Sequence, residues 1–237
     1  MIKAILFDLD GTLLPMNNDV FTKHYFKLLC AELAPKGYDP QTLIDAIWTG
    51  TAAMVRNDNQ KTNEEAFWEC FVRCLGPKSA DDREAFETFY RTTFNKAKEV
   101  CGIDEDAISL VKMLKANGTR IALATNPIFP ETATLNRIRW AGFEPEDFEL
   151  YTTYENIGYC KPNPAYFKEV ADRIGVDPSE CLMVGNDAEE DLASTMIGMK
   201  FFLITDNLIN KKNTDISKLP QGSFRSLGDY LEKIGVL

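Results

Sequence analysis

Asp8 and Asp10 stand two residues apart at the end of an apolar run, Ile2-Lys3-Ala4-Ile5-Leu6-Phe7, and Gly11 and Thr12 follow at once. In an extended segment, alternation sends the two carboxylates out on the same side. Carboxylates held that close repel unless a proton or a cation intervenes, so the pairing asks for a chemical reason. Nucleophilic attack by one carboxylate and proton transfer by the other, with a metal ion nearby, is such a reason. A solvated Asp-rich turn is the plain alternative. Three later segments weigh against it. Arg120–Ala124 is a second apolar run and ends in Thr125-Asn126-Pro127. Phe148–Tyr151 is followed by a loop and then Lys161-Pro162-Asn163-Pro164. Glu180–Val184 runs into Gly185-Asn186-Asp187-Ala188-Glu189-Glu190-Asp191.

Runs this short and this apolar read as strands in the middle of a parallel sheet. In open parallel sheets ligand groups gather at the carboxyl ends of the strands. The sequence therefore sets an Asp pair, a Thr, a Lys and a further acidic pair along one sheet edge. Lys200–Thr205 reads as a fifth strand and Leu227–Ile234 as a closing helix. Between Asn17 and Lys98 the pattern is helical throughout. Val20–Ala34, Pro40–Arg56, Asn63–Leu75 and Ala80–Val100 carry apolar residues at helical spacing, separated by Pro35-Lys36-Gly37, Asn57–Gln60 and Gly76-Pro77. The division expected is an α/β core over residues 1–16 and 101–237, with an all-helical insert over 17–100. The chain would cross between them at Leu14–Asn17 and near Cys101-Gly102. Strand and helix alternate after residue 101, which implies right-handed crossovers.

At these residues the chain resembles the haloacid dehalogenase-like hydrolase superfamily, in particular its phosphatase branch. The family's four motifs match Asp8–Thr12, Thr125, Lys161 in its K-P-x-P setting, and the acidic stretch around Asp187 and Asp191. The resemblance spans residues 1 to about 205. It implies a Rossmann-like three-layer α/β core with a parallel sheet and an inserted helical cap domain. It also implies a Mg²⁺-dependent phosphatase that acts on a small phosphorylated metabolite through an aspartyl-phosphate. Asp8 would be the nucleophile and Asp10 the proton donor and acceptor. Thr12, Thr125, Asn126 and Lys161 would hold the phosphoryl oxygens. A hard cation with oxygen ligands fits Mg²⁺ better than Zn²⁺. Its ligands would be Asp8, the Asp10 carbonyl and either Asp187 or Asn186, with Asp191 orienting a bound water or Lys161. Spacing to Asp191 points to Asp187, and counting back from Gly198 points to Asn186. A carboxylate holds a cation more firmly than an amide, which favours Asp187. A phosphomutase shares the same core, and a non-catalytic binding protein could keep it. A dehalogenase fits less well, because that branch needs no metal and lacks the acid at Asp10.

The remaining composition bounds the partners. In 237 residues the net charge is −10, with 45% hydrophobic and 26% charged residues. An acidic surface disfavours nucleic acid and anionic membrane, and no apolar run is long enough to span a bilayer. A cytoplasmic location, a small-molecule phosphate ester as substrate and no membrane partner are expected, with the oligomeric state open. Six cysteines form no C-x-x-C pair, and Cys70 and Cys74 read as buried small hydrophobes. His24, the single histidine, reads as a surface or capping residue. Trp48, Phe67, Trp68, Phe71, Phe86, Phe89 and Phe94 read as helical core rather than a substrate cage. Lys23, Lys27, Arg56, Lys61, Arg73 and Arg91 are scattered cations, of which one or two could reach an anionic substrate.

Overall fold

Five strands carry the molecule: β1 (Ala4–Phe7), β2 (Arg120–Leu123), β3 (Cys181–Gly185), β4 (Lys200–Ile204) and β5 (Gln221–Gly222), all parallel in the order β2-β1-β3-β4-β5. They belong to a computed structural model that describes residues 1–237. β1, β2 and β3 are buried along nearly their whole length, which is why they read as unbroken apolar runs. Alternate residues serve opposite layers. Ile5, Phe7, Ile121, Leu123, Leu182 and Val184 join one apolar cluster, while Ala4, Leu6, Ala122, Cys181 and Met183 join the other. The register sets Phe7 opposite both Leu123 and Val184, so the three strands end level. Asp8, the residue after Leu123 and Gly185 therefore leave the sheet at one edge. This is the three-layer α/β arrangement that the sequence implies.

Every element between Asn18 and Val100 is helical: α1 (Asn18–Leu33), α2 (Pro40–Val55), α3 (Asn63–Leu75) and α4 (Arg83–Arg91), with 3-10 turns at Pro77–Asp82 and Thr93–Val100. Their starts follow from local chemistry. Asn17, Asp39 and Thr62 accept from the first free backbone N–H groups, and Thr62 and Glu65 form a capping box. The helices' apolar faces merge with one face of the sheet in a single cluster of 46 buried residues. The other elements are α5 (Glu105–Ala116), α6 (Glu131–Trp140), α7 (Pro164–Arg173) and α8 (Phe224–Lys233). The two crossings lie side by side: Met16 pairs with Cys101 as an antiparallel bridge, and Gly102 N donates to Pro15 O at 2.7 Å. No helix is long and apolar enough to cross a membrane.

Three expected elements differ. The helix expected over Ala80–Val100 breaks at Thr92 (φ −119°, ψ −85°), where the Thr92 hydroxyl bonds Thr88 O and that of Thr93 bonds Glu32. Threonine hydroxyls offer the backbone an alternative to the helical ladder. Phe148–Tyr151 lies beside β2 and bonds it through Glu149 N, Leu150 O and Thr152 N, but forms only a bridge at Tyr151. It comes straight off the Pro145–Asp147 turn, which leaves it short. Between Asp187 and β4, where the alternation of strand and helix calls for a helix, the chain forms a turn followed by a 3-10 segment, Leu192–Ile197. There the Ser194 and Thr195 hydroxyls bond backbone carbonyls of their own turn, and Gly198 at φ 88° ends it.

Phe94 ties the helices between Asn18 and Val100 to α6 and the loop before it. It is fully buried and packs on Phe21, Tyr25, Phe89 and Tyr90 and also on Phe129 and Trp140. Phe94→Ala is expected to cost about 3–5 kcal/mol in denaturant unfolding; a loss under about 1 kcal/mol would mean that this junction is not a shared core.

Candidate active site

Asp8 leaves β1 with its N–H bonded to Val184 O at 2.9 Å, so the sheet itself fixes its backbone. Gly11 then turns the chain at φ 84°, a left-handed conformation that favours glycine. A Cβ at Gly11 would also fall 2.3 Å from Asn186 Nδ2. The turn brings Thr12 back, and its hydroxyl lies 3.3 Å from Asp8 Oδ2 and 3.1 Å from Asn186 Oδ1. Lys161 is buried, with its ammonium 2.8 Å from Asp8 Oδ1 and 2.6 Å from Asp191 Oδ1. Burial alone would lower the lysine's pKa, but the Asp191 and Asp8 carboxylates more than offset this and raise it above the ordinary lysine value.

Each remaining expected residue has a traceable support. Thr125 O accepts from Thr152 Oγ1 and Tyr166 Oη at 2.6 and 2.7 Å, which pins the end of the second strand segment. Asn126 accepts from Lys161 N and donates to Glu190 Oε2. Burial pushes the Glu190 carboxyl up to about 7, against the pull of Lys161. Asp191 Oδ2 accepts from Asp187 N and rests against Gly185, where a Cβ would lie 2.1 Å from that oxygen. Asp187 Oδ1 accepts from the backbone of both Glu189 and Glu190 at 2.8 Å. Asn186 Nδ2 donates to Asn207 O at 2.7 Å, leaving Oδ1 toward Thr12.

Asp10 has a different partner. Its Oδ2 pairs with Arg137, a fully buried arginine on α6 that also donates to Ala133 O and Thr134 Oγ1 and lies 4.4 Å over the Phe129 ring. Asp10 Oδ1 is buried and has no hydrogen-bond partner. Burial raises the Asp10 carboxyl above the usual range, the Arg137 guanidinium opposes this, and the Asp8 charge adds to it. A carboxyl so placed holds its proton more readily than a solvated one.

Asp8, Asp10, Thr125, Asn126, Asn186, Asp187 and Asp191 line one polar cavity of about 200 Å³. Thr12 and Lys161 lie behind it on Asp8. All the expected site residues are thus brought together. A second, aromatic cavity of about 170 Å³ meets the first at Asp10, Asn18 and Ile128. The donors facing the polar cavity are oxygens, and its carboxylates outnumber the cations beside them, so the residues fit a hard divalent cation. No three carboxylates converge on a point, which suits an ion that keeps several waters and takes one or two carboxylates.

Other expectations separate here. His24 lies 3.0 Å from Glu99 and lines neither cavity. None of Lys23, Lys27, Arg56, Lys61, Arg73 and Arg91 lines either cavity. Cys74 is exposed and Cys70 half-buried, so the cysteine stripe is less covered than its spacing suggests. Phe71, Phe89 and Phe94 are helical core, as expected, but Trp48, Phe67, Trp68 and Phe86 line the aromatic cavity. Phe67, Trp68 and Phe86 are buried members of the core as expected and line the cavity as well, whereas Trp48 is half exposed and its reading as core is corrected. Helical periodicity shows which face is apolar, not whether that face is filled. Arg137, Asn18 and Glu190 carried no spacing signal: the partners of Arg137 and Glu190 lie 127 and 64 positions away, and Asn18 meets the site only across the cavities it lines.

Comparison with known proteins agrees with this geometry. The family model described as haloacid dehalogenase-like hydrolase matches residues 2–194. The pyrophosphatase PpaX of Bacillus pumilus is 24% identical over 208 residues, 84% of this chain and 81% of that protein. The phosphoglycolate phosphatase of Escherichia coli is 23% identical over 250 residues, covering 99% and 93%. Among solved structures, a 2-haloacid dehalogenase from Pseudomonas syringae superposes with a TM-score of 0.64 at 21% identity, covering 99% and 100%. A HAD phosphatase from Thermococcus onnurineus gives 0.58 at 19%, covering 99% and 98%. At these identities the structural likeness speaks for the fold.

Lys161→Met would leave Asp8 and Asp191 as buried carboxylates without their cation. We expect a loss of about 3–5 kcal/mol in denaturant unfolding, partly recovered by adding Asp191→Asn. An unchanged unfolding midpoint would show that the ammonium does not hold the two carboxylates.

Proposed function

The chain belongs to the haloacid dehalogenase-like hydrolase family, and from that premise we propose that it is a Mg²⁺-dependent phosphatase acting on a small phosphate ester through an aspartyl-phosphate. One observation carries the reading: Asp8 faces only the polar cavity, whereas Asp10 stands where the polar and aromatic cavities meet. A phosphoryl group seated in the polar cavity then has its ester oxygen at Asp10 and its alcohol portion beyond.

In the first half-reaction an Asp8 carboxylate oxygen attacks phosphorus in line with the ester oxygen. The P–O bond to the alcohol breaks, and Asp10 gives its proton to the departing alkoxide. In the second half, water attacks the phosphorus of the aspartyl-phosphate, Asp10 takes the water's proton, and the P–O bond to Asp8 breaks to release phosphate. Lys161 fixes the Asp8 rotamer through Oδ1. Oδ2, touched only by the longer Thr12 contact, is the freer oxygen for attack. Thr125, Asn126 and the Lys161 charge offset the phosphoryl oxygens. Mg²⁺ would be held by Asp8, the Asp10 carbonyl and a third side-chain oxygen, and would supply charge stabilisation for the transferring group. For that third oxygen the geometry supports Asn186 over Asp187. Asp187 Oδ1 is already taken by two backbone N–H groups, while Asn186 Oδ1 shares the Thr12 hydroxyl with Asp8. Asp191 acts through Lys161.

The helical insert over residues 17–100 serves as the cap. It supplies most of the aromatic wall, and Ile128, Phe129 and Tyr154 of the α/β core supply the rest. A site closed in this way limits entry to small esters and excludes water during transfer.

Asp8→Asn should lower ester hydrolysis at least a hundredfold, about 2.7 kcal/mol of barrier, with a cooperative thermal melt retained. More than about a tenth of the activity remaining would point to another nucleophile. EDTA should silence the enzyme and Mg²⁺ restore it, with full turnover in metal-free buffer as the contrary result. In Mg²⁺ titrations, Asn186→Ala should raise the half-saturating concentration at least tenfold, about 1.4 kcal/mol, and more than Asp187→Ala does. The opposite ranking would return Asp187 to the metal.

A further inference from the structure

Beyond Asp10, the cavity that must receive the alcohol portion of the substrate has a distinct chemistry. Its walls are ring faces and edges, chiefly Phe21, Tyr25, Trp48, Phe67, Trp68 and Phe129. Asp10 is the one Asp, Glu, Lys or Arg among its lining residues. The nearest guanidinium groups lie against the rings and are already paired: Arg137 over Phe129 with Asp10, and Arg83 over Trp68 with Glu64. Neither lines the cavity. A carboxylate or phosphate placed there would face the negative faces of aromatic rings with no cation to offset its desolvation.

The polar atoms of the walls are also largely spoken for. The Tyr25 and Tyr90 hydroxyls bond each other at 2.9 Å, Trp68 Nε1 lies 3.5 Å from Tyr154 Oη, and Thr51 Oγ1 donates to Ile47 O of its own helix. Asn18, Thr22 and the Trp48 indole N–H are the few side-chain groups left to read a hydroxyl, beside Asp10 at the boundary. A sugar carrying several hydroxyls would give up water bonds that these walls cannot replace. The volume, about 170 Å³, is close to that of an engineered apolar cavity of about 150 Å³ known to take benzene. Trp48 stands at this wall with 51% of its surface exposed, so an occupant would cover an apolar surface that the fold itself leaves open.

Resting on the phosphatase reading above, we infer that the substrate is the phosphomonoester of a small, uncharged aromatic alcohol, with its single ring seated among Trp48, Phe67, Trp68 and Phe129. Specificity then differs from what the names of the pyrophosphatase and phosphoglycolate phosphatase relatives suggest for those proteins, since both of those substrates carry a second anion into the leaving-group side. It also differs from a phosphosugar specificity.

Two measurements on the full-length protein test this separately from the chemistry. The first compares kcat/KM for benzyl phosphate, phosphoglycolate, pyrophosphate, glucose 6-phosphate and acetyl phosphate with Mg²⁺. Benzyl phosphate should exceed phosphoglycolate, pyrophosphate and glucose 6-phosphate at least tenfold, mainly through KM. Thr51→Lys, which sets an ammonium in the aromatic cavity at a half-buried helix position, should cut benzyl phosphate at least tenfold and narrow its gap to phosphoglycolate. A wild-type preference for phosphoglycolate, pyrophosphate or the sugar phosphate would overturn the inference. The second follows tryptophan fluorescence on titration with benzyl alcohol and with glycolate, since Trp48 and Trp68 both face the cavity. Saturable binding of benzyl alcohol but not of glycolate is expected, and is lost in Thr51→Lys. If none of the five phosphate compounds is turned over, while benzyl alcohol still binds saturably, the phosphatase reading fails and the ring pocket stands. Absence of saturable benzyl alcohol binding overturns the pocket whatever the turnover.

Discussion

The buried ammonium of Lys161 is the contact on which the rest of the site depends. It stands between Asp8 and Asp191, with all three side chains largely or wholly out of water. Isolated, any one of these charges would be costly at that depth; together, each makes the burial of the others tolerable. The contact also joins three chain segments that are far apart in sequence: the end of β1, the loop that carries Lys161, and the turn after β3. Gly185 has a matching role, since any side chain there would occupy the place of the Asp191 carboxylate. The sheet register supplies the other half of the constraint, because strands ending level deliver these segments to the same edge.

Asp8 and Asp10 begin as neighbours of the same type and end with different surroundings. Lys161 and Thr12 hold Asp8. Arg137 holds one oxygen of Asp10, and the other is buried without a partner. One carboxylate is set beside a cation in a polar cavity, and the other has its proton affinity raised by burial at the edge of an apolar one. Two carboxylates placed in unlike environments can take unlike roles, which is the usual physical basis for separating nucleophile from acid. The arginine that pairs with Asp10 and partly offsets this rise comes from α6, outside every motif that the sequence displays.

The sequence carried more of the sheet than of its surroundings. Apolar runs such as Ala4–Phe7 and Cys181–Gly185 declare themselves because both faces are buried, and the groups that follow them declare the reactive edge. Helix α3 was legible to the residue, since Thr62 caps it and Gly76 ends it. Thr92 was harder, because its break depends on which carbonyl its hydroxyl finds. The Phe148–Tyr151 segment has strand composition but lies at the sheet's margin, where pairing depends on the turn before it. Nothing in the spacing of Trp48, Phe67, Trp68 and Phe86 separates a filled core from a lined cavity. That distinction is set by how two helical faces and the Ile128-Phe129 loop meet, and such three-body fits leave no periodic trace.

The central claim is that Asp8 carries the phosphoryl group. Reduction of a quenched turnover mixture with borohydride converts an aspartyl-phosphate to homoserine, and peptide mass mapping then locates it. Homoserine at position 8, present only when both substrate and Mg²⁺ were supplied, is the result this account predicts. Homoserine at position 10, or steady turnover with no reduced residue in the chain, would contradict it.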